Sequence, residues 1–320
     1  SCAVNETPPL PRQFLSQLEE TYSKQDILSD PADCWAYGYD NSRRHTLPQA
    51  VVFPSTQKQI ESTVQACHRF DIPVTTRGRG TGTTGASVPL KSGLVLSTER
   101  MMRVIEFSPA NRYITVEPGI TNQVVQEIAG RHGFFWPPDP TSAPYCSVGG
   151  NLACNAAGPK AIKYGTPREN TLGLKAVTGL GDEIRTGVFT TKGVVGYDLT
   201  RLLLGSEGTL AIITEATLKL TPVPEAKKTF RAIYHSVLDA ASAISSIMSQ
   251  PVIPCVLEFI DGNAIDVIRK YSEIDLPKQA AAMLMIEVDG PEAGLDHAVS
   301  QVAQSAKNQG LLDLSIAKTD

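Results

Sequence analysis

The hydrophobic positions change period several times along the chain, and those changes predict the elements. Leu10, Phe14, Leu15, Leu18 and Tyr22 fall on one stripe, so the spacing predicts a helix over Leu10–Ser23. Ala50–Phe53 is a short apolar run that reads as a strand. Pro54-Ser55 punctuates it, and Gln57–Phe70 follows as a helix with Ile60, Val64 and Cys67 inward. Ile72–Thr76 is the next strand, so a βαβ unit delivers the chain into a glycine-rich stretch. Strands are expected at Leu94–Ser97, Arg103–Phe107 and Tyr113–Glu117, and a helix at Asn122–His132. Leu172–Thr178 and Ile184–Thr186 flank Gly-Asp-Glu as a hairpin. Tyr197–Leu204 reads as a short helix. Gly205-Ser-Glu-Gly-Thr209 then turns into an apolar strand that starts at Leu210–Ile213 and runs on through Leu220.

Pro222 and Pro224 break that strand, and a domain boundary is expected there. Beyond it the pattern becomes strand Thr229–Tyr234, helix Leu238–Gln250, strand Cys255–Ile260 and helix Asn263–Tyr271. Strand Ala281–Val288, helix Glu292–Asn308 and strand Leu311–Ala317 complete it. Ser236 and Asp239 resemble a capping box for the first of these helices. The alternation predicts helices on one face of an antiparallel sheet.

Two stretches carry candidate chemistry. Arg77-Gly-Arg-Gly-Thr-Gly-Thr-Thr-Gly85 allows a backbone path closed to residues with a Cβ, and lets successive N–H groups converge on an anion. Gly80–Gly85 matches the GxGxxG dinucleotide fingerprint in form. That fingerprint needs a helix after the loop; Ala86–Ser97 instead carries Pro89, Gly93 and a further strand, so a Rossmann site is disfavoured. An anion cradle and a plain surface turn stay open on this stretch alone. In Phe134–Asn155, Pro137, Pro138, Pro140 and Pro144 exclude regular helix or central strand and predict a fixed extended loop. Cys146 or Ser147 then starts a helix of small residues across Gly149–Ala157. Its lack of bulk suits close approach of a ligand or, equally, of another backbone.

Composition narrows the partners. Of 320 residues, 42% are hydrophobic and 19% charged, with a net charge of −4 and no Lys/Arg block, which argues against nucleic acid. No apolar run approaches the ~20 residues of a membrane span. Ser1–Pro9 lacks the basic and apolar regions of a signal peptide. Six scattered cysteines, with no CxxC, read as reduced thiols of a cytosolic compartment. Peripheral attachment at an inner membrane is the alternative location.

The glycine loop, the proline-rich loop with Ser147-Val-Gly-Gly-Asn151, Lys163-Tyr-Gly165, Gly196-Tyr-Asp-Leu199 and Gly205-Ser-Glu-Gly-Thr-Leu210 occur in that order. Together they resemble the vanillyl-alcohol-oxidase type of FAD-linked oxidases. Within that group the likeness is greatest to glycolate oxidase FAD subunits and to D-lactate and D-2-hydroxyglutarate dehydrogenases. It spans about Gln49–Val223, and more loosely the rest.

The resemblance implies an α+β chain: an N-terminal helical arm (1–48), a two-subdomain FAD-binding domain of the p-cresol-methylhydroxylase type (49–223), and a partial α+β cap domain with an antiparallel sheet (224–320). Thr76, Arg77, Gly78, Arg79, Gly80, Thr81 and Gly82 would hold the FAD pyrophosphate. Pro138, Thr141, Ser142, Cys146, Ser147, Gly149, Gly150, Asn151, Asn155, Ala156 and Ala157 would line the isoalloxazine and its neighbourhood. Glu207, Gly208, Ile212 and Ile213 would line the adenine or ribityl end. Thr81 stands where covalently flavinylated relatives carry His, which implies non-covalent FAD.

Members of the group extend past the position of Asp320, and the part beyond normally supplies paired metal-binding histidines, a catalytic His and basic substrate ligands. A divalent metal is therefore expected only with that part present. His45, His68, His132, His235 and His297 are isolated in sequence and name neither a general base nor a metal ligand. The implied activity is FAD-dependent oxidation of a D-2-hydroxy acid of the D-lactate or glycolate class to the 2-oxo acid by hydride transfer to flavin N5, with electrons passed to a quinone, a cytochrome or an iron–sulfur subunit. A non-catalytic flavin subunit, or another oxidase or reductase on the same fold, is the alternative.

Overall fold

The computed structural model describes residues 7–188, 193–272 and 276–316. The chain divides into two compact units: residues 1–156 with 166–221, and 157–165 with 222–320.

The first unit holds two sheets. One has strands β1 (Ile27–Leu28), β2 (Ala50–Val52), β3 (Val74–Arg77) and β4 (Leu94–Ser97), in the order β1-β2-β4-β3, with β2, β4 and β3 parallel. Its central strands are buried on both faces, which explains their unbroken apolar runs. Ala50, Val52, Leu94 and Leu96 face Phe14 and Leu18 of α1 (Arg12–Thr21) and Ile60 and Val64 of α3 (Gln57–Phe70). Val51 and Val95 face Phe53 and Cys34 on the other side; Cys34 closes α2 (Pro31–Cys34). A reciprocal capping box between Thr56 and Gln59 starts α3, and Asp71 ends it in the left-handed conformation.

The second sheet is antiparallel: β5 (Val104–Ser108), β6 (Tyr113–Val116), β8 (Thr171–Thr178), β9 (Glu183–Gly187) and β10 (Ala211–Lys219), ordered β5-β6-β10-β8-β9. One face packs on α4 (Asn122–Gly130), α5 (Val148–Cys154) and α7 (Leu199–Leu203), around a fully buried Trp136. Trp136 Nε1 donates to Asn170 O at 3.0 Å, and its backbone exchanges two hydrogen bonds with the Gln126 side chain. The proline-rich stretch is pinned by that residue; truncation there would cost about 3–5 kcal/mol. The opposite face sends Val177 and Ile212 into the core of the first sheet, so the two subdomains share a core. The loop expected from Phe134 begins instead as a short strand, β7 (Phe134–Phe135), paired with β11 (Thr221–Pro222).

The second unit is a four-stranded antiparallel sheet, β13-β14-β12-β15, made by β12 (Ala226–Tyr234), β13 (Val256–Asp261), β14 (Ala282–Gly290) and β15 (Leu311–Ile316). Ala317, placed in this last strand by the sequence pattern, lies outside the described residues. Alternate residues of β14 separate two cores. Leu284, Ile286 and Val288 pack under α8 (Val237–Ser249) and α10 (Glu292–Ser305). Met283 and Met285 instead meet Ile265 and Ile268 of α9 (Gly262–Tyr271). The expectation of helices on one face is thus corrected: strand side chains alternate, both sides of β14 are apolar, and the second side needs its own cover. Residues 157–165, with the short helix α6 (Ala161–Tyr164), also pack here. Lys163 Nζ pairs with the Asp289 carboxylate, and Tyr164 OH donates to its other oxygen at 2.5 Å. Among the described residues no helix is long and apolar enough to cross a membrane.

Candidate functional site

A cavity of about 290 Å³ opens in the first unit. Its floor is the loop Gly78–Thr84 leaving β3. Its walls are the small residues Gly149, Gly150, Ala153 and Ala156 on and after α5, and the turn Ser206–Gly208 leading to β10. No bulky side chain fills it, which suits a flat ligand.

The glycine loop has an electrostatic sense. Among the described residues, the amides from Gly78 to Thr84 donate to no acceptor in the chain, whereas the next one, Gly85 N, donates to Asp40 Oδ2 at 2.9 Å; at the loop's start Arg77 O accepts from Thr98 N at 3.0 Å. A run of exposed donors along one loop is a ready anion site. The amides that open α5 are different. Val148 N and Gly149 N donate to Ile120 O and Pro118 O, both at 2.8 Å, and Gly150 N donates to Ser147 Oγ at 3.3 Å. That helix start is spent on structure and contributes wall, not charge.

Of the residues named from the sequence, Thr76, Gly78, Arg79, Gly80, Thr81 and Gly82 line the cavity. So do Ser142, Ser147, Gly149, Gly150, Asn151, Ala156, Glu207, Gly208, Ile212 and Ile213. The others lie elsewhere. Arg77 is buried beneath the loop; its guanidinium donates to Tyr39 O at 2.6 Å and Ala36 O at 3.3 Å, and burial lowers its pKa. Pro138 is buried and accepts from Asn122 Nδ2, and Thr141 is exposed without touching the cavity. Cys146 Sγ is buried against Asn151 Nδ2 at 3.1 Å. Asn155 takes the left-handed conformation that ends α5, with its Oδ1 buried and unpartnered. Ala157 begins the segment that packs in the other unit.

The structure adds residues the sequence did not single out, chiefly Asp40, Ser87, Thr98, Pro118 and Ser206. Asp40 and Glu207 are acidic and Arg79 is the cation at the wall. Thr84 Oγ1 donates to Glu207 Oε1 at 3.1 Å, tying the loop to the turn. Cys154 also faces the cavity, its thiol pKa raised by burial and then by the nearby Glu207 and Asp40 carboxylates. Among the described residues, no group of three or more His, Cys, Asp or Glu is placed to hold a metal.

A loop of free backbone amides faces a wall of small residues on an α+β frame, an arrangement suited to a nucleotide cofactor. Residues 48–187 match the FAD binding domain, and residues 223–320 the C-terminal domain of FAD linked oxidases; the chain belongs to the FAD-linked oxidase family. It is 38% identical over 306 residues to a glycolate oxidase subunit of Bacillus subtilis, covering 95% of this chain and 65% of that protein. Identity to the Escherichia coli glycolate oxidase subunit is 32%, over 97% of this chain and 60% of that protein. A D-lactate dehydrogenase of Archaeoglobus fulgidus is 35% identical, over 95% of this chain and 68% of that protein. The chain therefore spans about 60–65% of the two glycolate oxidase subunits. A solved structure of alkyldihydroxyacetonephosphate synthase, at 21% identity and a TM-score of 0.77, shares the fold over 94% of this chain and 60% of its own.

Proposed function

We propose that the protein to which this chain belongs oxidises a D-2-hydroxy acid of the D-lactate or glycolate class to the 2-oxo acid. FAD is held non-covalently in the cavity. The observation that carries this is the row of unpartnered amides from Gly78 to Thr84 facing small-residue walls. It supplies donors for a diphosphate and room for a planar ring, and the relatives are named for hydroxy-acid oxidation.

When bound, FAD supplies a hydride acceptor at N5. A 2-hydroxy acid would give its α-hydrogen with the electron pair to that acceptor and its hydroxyl proton to a base, becoming the 2-oxo acid. The chain's part is binding and orientation. Thr76 and Gly78–Gly82 would hold the diphosphate; Ser142, Ser147, Gly149, Gly150, Asn151 and Ala156 would form the wall beside the cofactor; Glu207, Gly208, Ile212 and Ile213 would line its other end. Thr81, having no nucleophilic nitrogen, leaves the flavin unattached. The name "subunit" on the glycolate oxidase relatives favours a separate electron acceptor in an assembly.

Anaerobic flavin reduction by paired D- and L-2-hydroxy acids tests the reading. This chain is expected to bind FAD and bleach slowly, and a chain extended to its relatives' length to bleach fast and D-selectively. Orientation of a substrate is worth about 7–11 kcal/mol, ample to separate the two. A protein that takes up no flavin, or an extended chain that prefers L-substrates, overturns the proposal.

A further inference from the structure

The glycine loop is hydrogen-bonded to a segment that precedes the matched FAD binding domain. Residues 35–46 fold back on themselves, with Thr46 N donating to Gly38 O at 3.0 Å and Tyr39 bridging to His45. The tip of that turn meets the glycine loop at three places. Asn41 N donates to Gly82 O at 2.9 Å, and Asn41 Nδ2 donates to Thr81 O at 3.2 Å. Asp40, 4% exposed, accepts from Gly85 N at 2.9 Å through Oδ2 and from Ser42 N at 2.8 Å through Oδ1. At the loop's start, Arg77 donates to the Tyr39 and Ala36 carbonyls.

A trans peptide is planar, with its C=O and N–H on opposite sides. Drawing the Thr81 and Gly82 carbonyls toward the turn therefore turns the Gly82 and Thr83 N–H groups away from it. Gly82 and Thr83 line the cavity. In a glycine-rich loop each peptide could otherwise flip, because glycine pays little for either orientation.

We infer that Asp40 and Asn41 are positioning residues of the cofactor site: they lock the glycine loop with its amides toward the cavity and so set affinity for the diphosphate. The inference rests on the flavin reading above. Releasing the lock leaves the binding-competent loop a minor population, and the apparent dissociation constant rises by the inverse of that fraction.

The test measures FAD, ADP and riboflavin binding by titration, with thermal melting of the apoprotein, for wild type, Asp40→Asn and Asn41→Ala. Asn41 is exposed, so its variant folds even if the buried Asp40 site does not tolerate change. The expected result is FAD and ADP weakened about tenfold or more in Asp40→Asn and several-fold in Asn41→Ala. Riboflavin affinity, which carries no phosphate, stays the same, and Asn41→Ala melts with wild type. Unchanged FAD affinity in Asn41→Ala overturns the inference, as does equal weakening of all three ligands. Wild-type protein that binds ADP but no flavin overturns the flavin reading instead, and the lock is then scored on ADP.

Discussion

Gly80 and Gly82 lie two residues apart, yet the structure assigns them different reasons to be glycine, and a pair of substitutions separates folding from ligand binding. Gly80 has φ +67°, and a Cβ there would overlap the Arg77 guanidinium. Gly80→Ala pays about 1–2 kcal/mol for the left-handed backbone. Displacing Arg77 from the Tyr39 and Ala36 carbonyls weakens hydrogen bonds from a charged donor, at about 1.5–3 kcal/mol. The apoprotein should lose about 2.5–5 kcal/mol, a large share of the ~5–15 kcal/mol of an ordinary domain. Gly82 is outside the left-handed region, and a Cβ there meets nothing within 4 Å. Gly82→Val should leave the apoprotein's denaturation midpoint near wild type while weakening FAD by about 1–3 kcal/mol, or 5- to 150-fold, because the branched side chain competes with the ligand for open space. Urea titration of the apoproteins, with flavin fluorescence titration of each, reads both quantities. A Gly82→Val protein that retains wild-type FAD affinity would refute the loop as the cradle. A Gly80→Ala protein of wild-type stability would refute the contact with Arg77.

Acid precipitation should leave all yellow colour in the supernatant, since Thr81 offers no attachment point; colour in the pellet contradicts this. Asp289→Asn should loosen the 161–164 helix, costing about 1–3 kcal/mol locally, and faster hydrogen exchange of those amides is the readout. Burial pushes the Cys34 and Cys67 thiols up to about 11 and about 12 from 9.0. Unfolded thiols then release protons first. Stability should be level below about pH 8 and fall by about 1.4 kcal/mol per pH unit per thiol above about pH 9, with Cys67→Ala removing its share of the slope.

Much of the frame was legible because it is written locally. Apolar runs in Ala50–Phe53 and Leu94–Ser97 match strands buried on both faces, and the heptad-like stripe of Gln57–Phe70 matches α3. The missed features depend on partners distant in sequence. Asp40 and Asn41 sit in a stretch without periodicity and act through residues about forty positions later. The small-residue helix reads as a surface open to close approach by a ligand or by another backbone, and only the structure shows the Pro118 and Ile120 carbonyls taking its first amides. The apolar positions of α9 fixed that it packs, while the side of the sheet was decided by Met283 and Met285, which a strand pattern rich in apolar residues on both faces does not reveal. Arg77 sits among glycines and reads as a phosphate ligand, yet its partners are carbonyls beneath the loop.

Residues 157–165 belong to the sheet of the second unit although the chain on both sides of them belongs to the first. The polypeptide passes between units after Ala156, after Gly165 and again after Thr221. A single nick near Pro222 therefore does not yield two self-sufficient halves. The N-terminal product would carry a strap whose Lys163 and Tyr164 have lost Asp289, and the C-terminal product would lack a piece of its own sheet's cover. Expression of either half alone is poorly matched to this topology, whereas co-expression of the two pieces should reconstitute a paired complex. Synthesis imposes the same order: the strap emerges from the ribosome well before β14, and waits for its carboxylate until the last third of the chain has been made.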